Sequence, residues 1–461
     1  MKNQFRSLLM LGAAASLIVL NGCDDDDDNG PGQNVVQLAQ GNDNLSTLEA
    51  ALSKFPDLVA TLSGSGQVTV FAPSNDAFEN LLDAIGQSGL DDIPEDVLRD
   101  VLEYHVVPGA TLSNQLTDGE LTTVGGEKST VNTSGGVTLN GSASVTTADV
   151  RGTNGIVHVI NEVLIPPSIQ PIVGTIVAPA YFNKNFTTLI AAVKAASPSI
   201  LTTLLGTDNK TLFAPTNDAF TAAGITALPD QATLDAVLKY HVIDSEATSS
   251  QIASGASDAE TLNGKIYLSK NSTGVFINGT SKVITADIDG TNGVVHVIDR
   301  TLMPPSETIA QIATRLSSGN PAQFTQLVAA LARTQGQGAN DLLAAAGSSS
   351  ANLTVFAPTD AAFQELYTAL GVSDVAEIPL STLIAVLKHH IVAGRVFSTD
   401  LASGAATTLN GDVTINLNAD PATVTGSSGG DNVAKLQGTL LNIHATNGVI
   451  HVMDKVLLPQ N

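Results

Sequence analysis

Three blocks of sequence recur three times in fixed order, and this periodicity constrains the architecture more than any single motif. TVFAPSNDAF at 69–78 returns as TLFAPTNDAF at 211–220 and as TVFAPTDAAF at 354–363. TNGIVHVINEVLIPP at 153–167 returns as TNGVVHVIDRTLMPP at 291–305 and as TNGVIHVMDKVLLPQ at 446–460. Between them VLRDVLEYHVVPG at 97–109 matches VLKYHVID at 237–244 and VLKHHIVAG at 386–394. A chain of 461 residues accommodates three domains of roughly 150 residues. The repeats place them at 33–167, 168–305 and 306–461, with Pro166-Pro167 and Pro304-Pro305 as short stiff junctions.

Each block has a local physical reading. The β-branched and aromatic run Thr69-Val70-Phe71-Ala72 ends at Pro73, after which Ser74 is placed to cap a helix with Asp76 in its first turn. Leu98, Val101, Leu102 and His105 fall on one helical face, as do Leu234, Val237, Leu238 and His241, so this helix turns its His inward. Thr153-Asn154-Gly155 is a turn that launches a strand apolar on both faces, with His158 between Ile156 and Ile160. Short β-rich runs with Gly-containing turns fill the intervening stretches. The expected module is α+β, helices first and a small sandwich after.

At these residues the resemblance is specific: the two long motifs resemble the H1 and H2 boxes of the fasciclin (FAS1) domain, with that family's Tyr-His motif between them. It covers essentially all of 33–461 and implies three tandem modules, each a seven-stranded wedge-like sandwich packed with short helices. It also implies a role in adhesion and extracellular matrix. In animal fasciclin proteins the Tyr-His motif and an Asp-Ile pair before the final strand are implicated in integrin binding. The matching residues here are Tyr104-His105 with Asp149-Val150, and Tyr240-His241 with Asp287-Ile288. The third repeat departs, with His389-His390 and Asn442-Ile443, so only the middle repeat keeps both pairs. Asp287 has an alternative role as an Asx-turn former.

The amino terminus reads as an address and a tether. Lys2 and Arg6 precede an uncharged, mostly apolar run of 14 residues, Ser7 to Leu20, which has the anatomy of a signal peptide and is too short to span a membrane. Leu20-Asn21-Gly22-Cys23 resembles the lipobox of bacterial lipoproteins, which implies a signal peptide over 1–22 and a lipid anchor on Cys23. Asp24 to Asp28 and then Asn29-Gly30-Pro31-Gly32 form a charged, flexible spacer over 23–32. The acidic run also resembles the surface-export signals of lipoproteins in Bacteroidetes-like bacteria. The expected location is the outer membrane of the cell envelope, facing outward.

Composition removes several function classes. A formal net charge of -24 repels phosphate backbones, so no nucleic-acid partner is expected. One Cys excludes intramolecular disulfides and Cys-rich zinc frameworks, and no metal or cofactor is expected. Trp is absent and aromatics are 4%, which leaves few platforms for stacking a sugar or a base. Charge is uneven: 17 acidic against 4 basic residues in 33–167, 11 against 8 in 168–305, and 11 against 6 in 306–461. A Gly-, Ser- and Asp-rich loop over 418–438 is either a disordered insertion or a contact surface.

Every repeat carries one His ending the middle helix (His105, His241, His390) and one in the last strand (His158, His296, His451). Such a pair admits an acid-base reading. The competing reading is a core His whose ring bonds the backbone, which the threefold repetition favours. No His-Glu-x-x-His pair or phosphate loop accompanies the histidines. The expected function is therefore a non-enzymatic, surface-anchored adhesion lipoprotein binding surface proteins, matrix components or glycans, with its membrane contact through the lipid anchor. The alternative is an interaction or scaffold module of a periplasmic or surface complex, and a His-dependent enzyme comes third.

Overall fold

The two longest recurring motifs lie side by side. Val68–Pro73 pairs in parallel with Gly155–Ile160, and the register sets Phe71 opposite His158. Lys210–Pro215 pairs likewise with Gly293–Ile298, and Leu353–Pro358 with Gly448–Met453. The second strand of each pair is buried along its whole length, as a parallel strand covered on both faces must be. The backbones approach closely at the start of the pair: Gly293 has φ +138, and a Cβ there would collide with the Lys210 carbonyl.

The computed structural model describes residues 32–428 and 432–460. The expected signal peptide, Cys23 and the acidic run lie outside the described residues. Each repeat opens with short helices: Val35–Gln40, Ser46–Ser53 and Pro56–Ser63 in the first, with counterparts in the other two. Ser74 caps Asn75–Ile85 by accepting from the Ala77 amide, and Gly86 closes that helix in the left-handed conformation. The middle helices Glu95–Tyr104, Gln231–Tyr240 and Leu380–Lys388 bury the apolar stripe that their spacing foretells. Among the described residues no helix is long and apolar enough to cross a membrane.

The fold is α+β with three tandem modules, and their sheets differ in closure. The first forms one seven-stranded sheet. The second closes into a seven-stranded barrel, because Thr261 of Gly255–Thr261 pairs with Ile243. Among the described residues the third has eight strands in two four-stranded sheets. The reason lies in one strand. Ala143–Gly152 and Ser281–Gly290 are continuous, ten residues long, and bend through register shifts to serve both halves. In the third repeat the equivalent chain is broken into Val433–Lys435 and Ile443–Ala445 by a 3-10 turn at Gly438–Leu440. The 418–438 segment contributes a hairpin of Thr423–Thr425 and Val433–Lys435 to the second sheet; residues 429–431 lie outside the described residues.

Beyond Pro167 the chain delivers Ile169, Ile172 and Ile176 into one apolar cluster shared by the first two domains. The third domain has its own cluster. It meets the second through side chains of the barrel surface, where Tyr267 packs against Phe397 and His444, each with its ring centroid 5.8 Å away.

Candidate functional site

The Tyr-His positions are buried and occupied. Tyr240 Oη donates to the Lys265 carbonyl at 2.9 Å and accepts from Asn278 Nδ2 at 3.1 Å. Tyr104 repeats this with Lys128 and Asn140 at 2.8 and 3.1 Å. Burial pushes the Tyr240 phenol up to about 12. In the third repeat His389 takes the Tyr position, placing Nδ1 2.8 Å from the Asn410 carbonyl and accepting from the Ser427 amide at Nε2.

Each histidine of the recurring pair uses both ring nitrogens on backbone groups. His105 Nδ1 donates to the Val101 carbonyl at 2.7 Å, and its Nε2 accepts from the Leu164 amide at 2.8 Å. His241 and His390 make the same two bonds. Burial lowers all three to about 4, so the neutral ring is the stable form. His158 donates from Nε2 to the Thr111 carbonyl and accepts from the Asp149 amide at Nδ1; His296 does the same with Ala247 and Asp287. These rings pin loops to strands, and none is left with a free nitrogen facing a cleft. The acid-base reading of the pair gains nothing from this geometry.

The Asp-Ile positions behave otherwise. Asp149 and Asp287 sit at bulges with φ of 64° and 58°, a left-handed conformation that Asp tolerates. Asp149 accepts from the Ser113 amide and hydroxyl, both at 2.7 Å. Asp287 accepts from the Ser249 amide at 2.7 Å and from its hydroxyl. These serine bonds hold both carboxyls below the usual carboxylate range. Their side chains remain 37% and 39% exposed. Asp287 thus satisfies a turn and still faces solvent, with Ile288 half-buried beside it. The arrangement offers one fixed anion and one apolar contact on a rigid strand; it brings Asp287 to the surface and leaves Tyr240 and His241 inside. Among the described residues no group of three His, Cys, Asp or Glu is placed to hold a metal.

The Asn of Thr-Asn-Gly does more than form the turn its sequence suggests. Asn154 is buried: its Oδ1 accepts from the Val35 amide, and its Nδ2 donates to the Leu62 and Gly64 carbonyls at 2.7 Å. Asn292 and Asn447 form the same clamp. The signal was the threefold repetition of an Asn where Asp would serve a turn as well; only an amide can both accept and donate.

Repeats, clamp and parallel pair define a class of tandem α+β modules, and comparison with known proteins places it. The fasciclin domain profile matches residues 43–166, 184–304 and 322–459, and the chain belongs to the fasciclin domain family. It is similar to transforming growth factor-beta-induced protein ig-h3 of Sus scrofa, 31% identical over 431 residues, which are 92% of this chain and 58% of that protein. Protein sll1483 of Synechocystis is 43% identical over 133 residues, 29% of this chain and 73% of the relative. Among solved structures, a FAS1 domain pair from the insect cell adhesion molecule fasciclin I aligns with a TM-score of 0.29 and 18% identity over 59% of this chain and 97% of that one. The chain spans 58% of the length of the ig-h3 relatives. Fasciclin-domain proteins act in cell adhesion and matrix interaction.

Proposed function

We propose that this chain is a non-enzymatic adhesion lipoprotein of the cell envelope, anchored through Cys23 in the outer membrane and facing outward. Its tandem fasciclin domains bind surface proteins, matrix components or glycans. Family membership supports the adhesion class, and the lipobox-like Leu20 to Cys23 motif supports the anchor. The observation that carries a specific contact is the Asp287 carboxylate, fixed by Ser249 and open to solvent beside Ile288. A binding residue held in one geometry loses little entropy on engaging a partner.

The test is attachment of cells displaying the chain with Asp287→Ala and Ile288→Ala, each checked by its thermal melt. Loss of attachment with the melt retained supports the contact. Attachment that tracks the melting temperature instead leaves Asp287 a turn former. Attachment unchanged by deletion of all three domains overturns the adhesion reading itself.

A further inference from the structure

A groove of about 740 Å³ runs between the first and second domains, within the size range of ligand-binding clefts. One wall is the carboxyl-terminal end of the helix Asn75–Ile85, and the other is the outward face of Ser281–Gly290 with the Ala178–Tyr181 helix below. Its apolar surface includes Ala178, Ile288 and Ile284, the last 53% exposed and the most exposed large hydrophobic residue of the described chain. Asp83 and Asp289 face it from opposite domains, and no Lys, Arg or His lines it. Neither carboxylate takes part in an ion pair among the described residues, although nine Lys or Arg pairs form elsewhere, from Lys54–Asp91 to Arg315–Glu307. The end of the helix adds its carbonyl dipoles to the same negative field.

We infer that this groove docks an extended, apolar and basic segment of a partner polypeptide. The argument is charge complementarity: two unpaired carboxylates and a helix carboxyl end flank the exposed Ile284 and the half-buried Ile288, so an occupant that alternates cationic and aliphatic groups satisfies both surfaces at once. The walls come from two domains that share one apolar cluster, so the groove is preformed and binding costs little ordering. The inference rests on the reading of this chain as a binding protein, and it names a partner chemistry for the Ile288 side of the middle domain.

The experiment uses the full chain and a short fluorescent peptide of alternating leucine and lysine, read by anisotropy, with the leucine-glutamate peptide as comparator. Saturable binding of the lysine peptide alone is expected. Asp83→Asn combined with Asp289→Asn weakens it about tenfold, while Glu79→Gln with Glu95→Gln, two exposed acids outside the groove, leaves it unchanged. Ala84→Trp fills the groove from an exposed helix position and abolishes binding without touching a core residue. Equal losses in both acid pairs would reduce the effect to net charge and overturn the site, as would full binding by Ala84→Trp or preference for the glutamate peptide. The peptide is read in solution, so its failure leaves the attachment assay standing, and a failure of attachment leaves the peptide result standing.

Discussion

Asn442 Nδ2 donates to the Gly279 carbonyl at 2.8 Å, joining the third domain to the second across 163 residues of chain. Asn442 occupies the position of Asp149 and Asp287, shares their left-handed backbone with φ 57°, and keeps the same acceptor bond from a serine amide, here Ser398. It is only 9% exposed. The departure of the third repeat from the Asp-Ile pattern thus has a physical cause: a carboxylate has no proton to give the Gly279 carbonyl, and an amide does. What stands open in two domains is spent on an internal contact in the third.

Asn442→Asp removes that donor and sets an anion against a carbonyl in a buried contact. Docking of the third domain is expected to weaken by about 1–3 kcal/mol, the cost of an unsatisfied buried group. Faster proteolysis near residues 304–308, with the rest of the chain resistant, is the readout. Unchanged cleavage would show that the packing of Tyr267 against Phe397 and His444 suffices.

Acid should loosen the chain in two ways. His105, His241 and His390 titrate near 4 when folded against 6.5 ordinarily, so the unfolded chain takes up protons first as pH falls. Their stabilisation is complete above about pH 6.5 and is lost between there and pH 4, up to about 3 kcal/mol per ring. His444, at the contact of the second and third domains, is lowered to about 3 by burial and by the Arg395 cation, which also lies 4.4 Å above the Tyr267 ring. Its contribution to docking has the same sign. Asp400, raised by burial in that region, acts in the opposite direction. Melting temperatures across pH 4–7 check this, and His444→Phe should flatten the interdomain part of the profile. A profile identical to that of the parent chain would remove His444 from the account.

Tyr240→Phe leaves the Asn278 amide without its acceptor and the Lys265 carbonyl without its donor. The expected loss is about 1–3 kcal/mol in melts of the second domain, with attachment preserved below the transition. Lost attachment at full stability would return Tyr240 to the binding site.

Asn292→Ala strips the buried clamp from the Ile176 amide and from the Leu204 and Gly206 carbonyls. A loss of about 3 kcal/mol or more is expected by chemical denaturation, because three backbone groups become unsatisfied. Asn292→Asp should recover only the Ile176 bond, and recovery of full stability would contradict the clamp.

Cys23→Ala should move the chain from the membrane fraction to the soluble fraction or leave it unprocessed, since the thioether is the anchor proposed. Normal processing with membrane retention would refute the anchor.

Local sequence determined much of the architecture. The three repeats, the Ser74 cap, the inward stripe of Leu98, Val101, Leu102 and His105, and the fully buried His158 strand all follow from spacing and side-chain type, which act over a few residues. The family was legible in the same motifs. Tertiary structure alone decided which members of those motifs reach solvent. Tyr240 and Asp287 stand in motifs of equal prominence, yet the phenol finds Asn278 and Lys265 inside the barrel while the carboxylate rests on Ser249 at its surface. It also decided that Asn442 meets Gly279, that the first two domains share a core, and that Asp83 and Asp289 face one groove. Each is a contact between residues dozens to hundreds of positions apart, and periodicity carries no information about which distant surfaces meet.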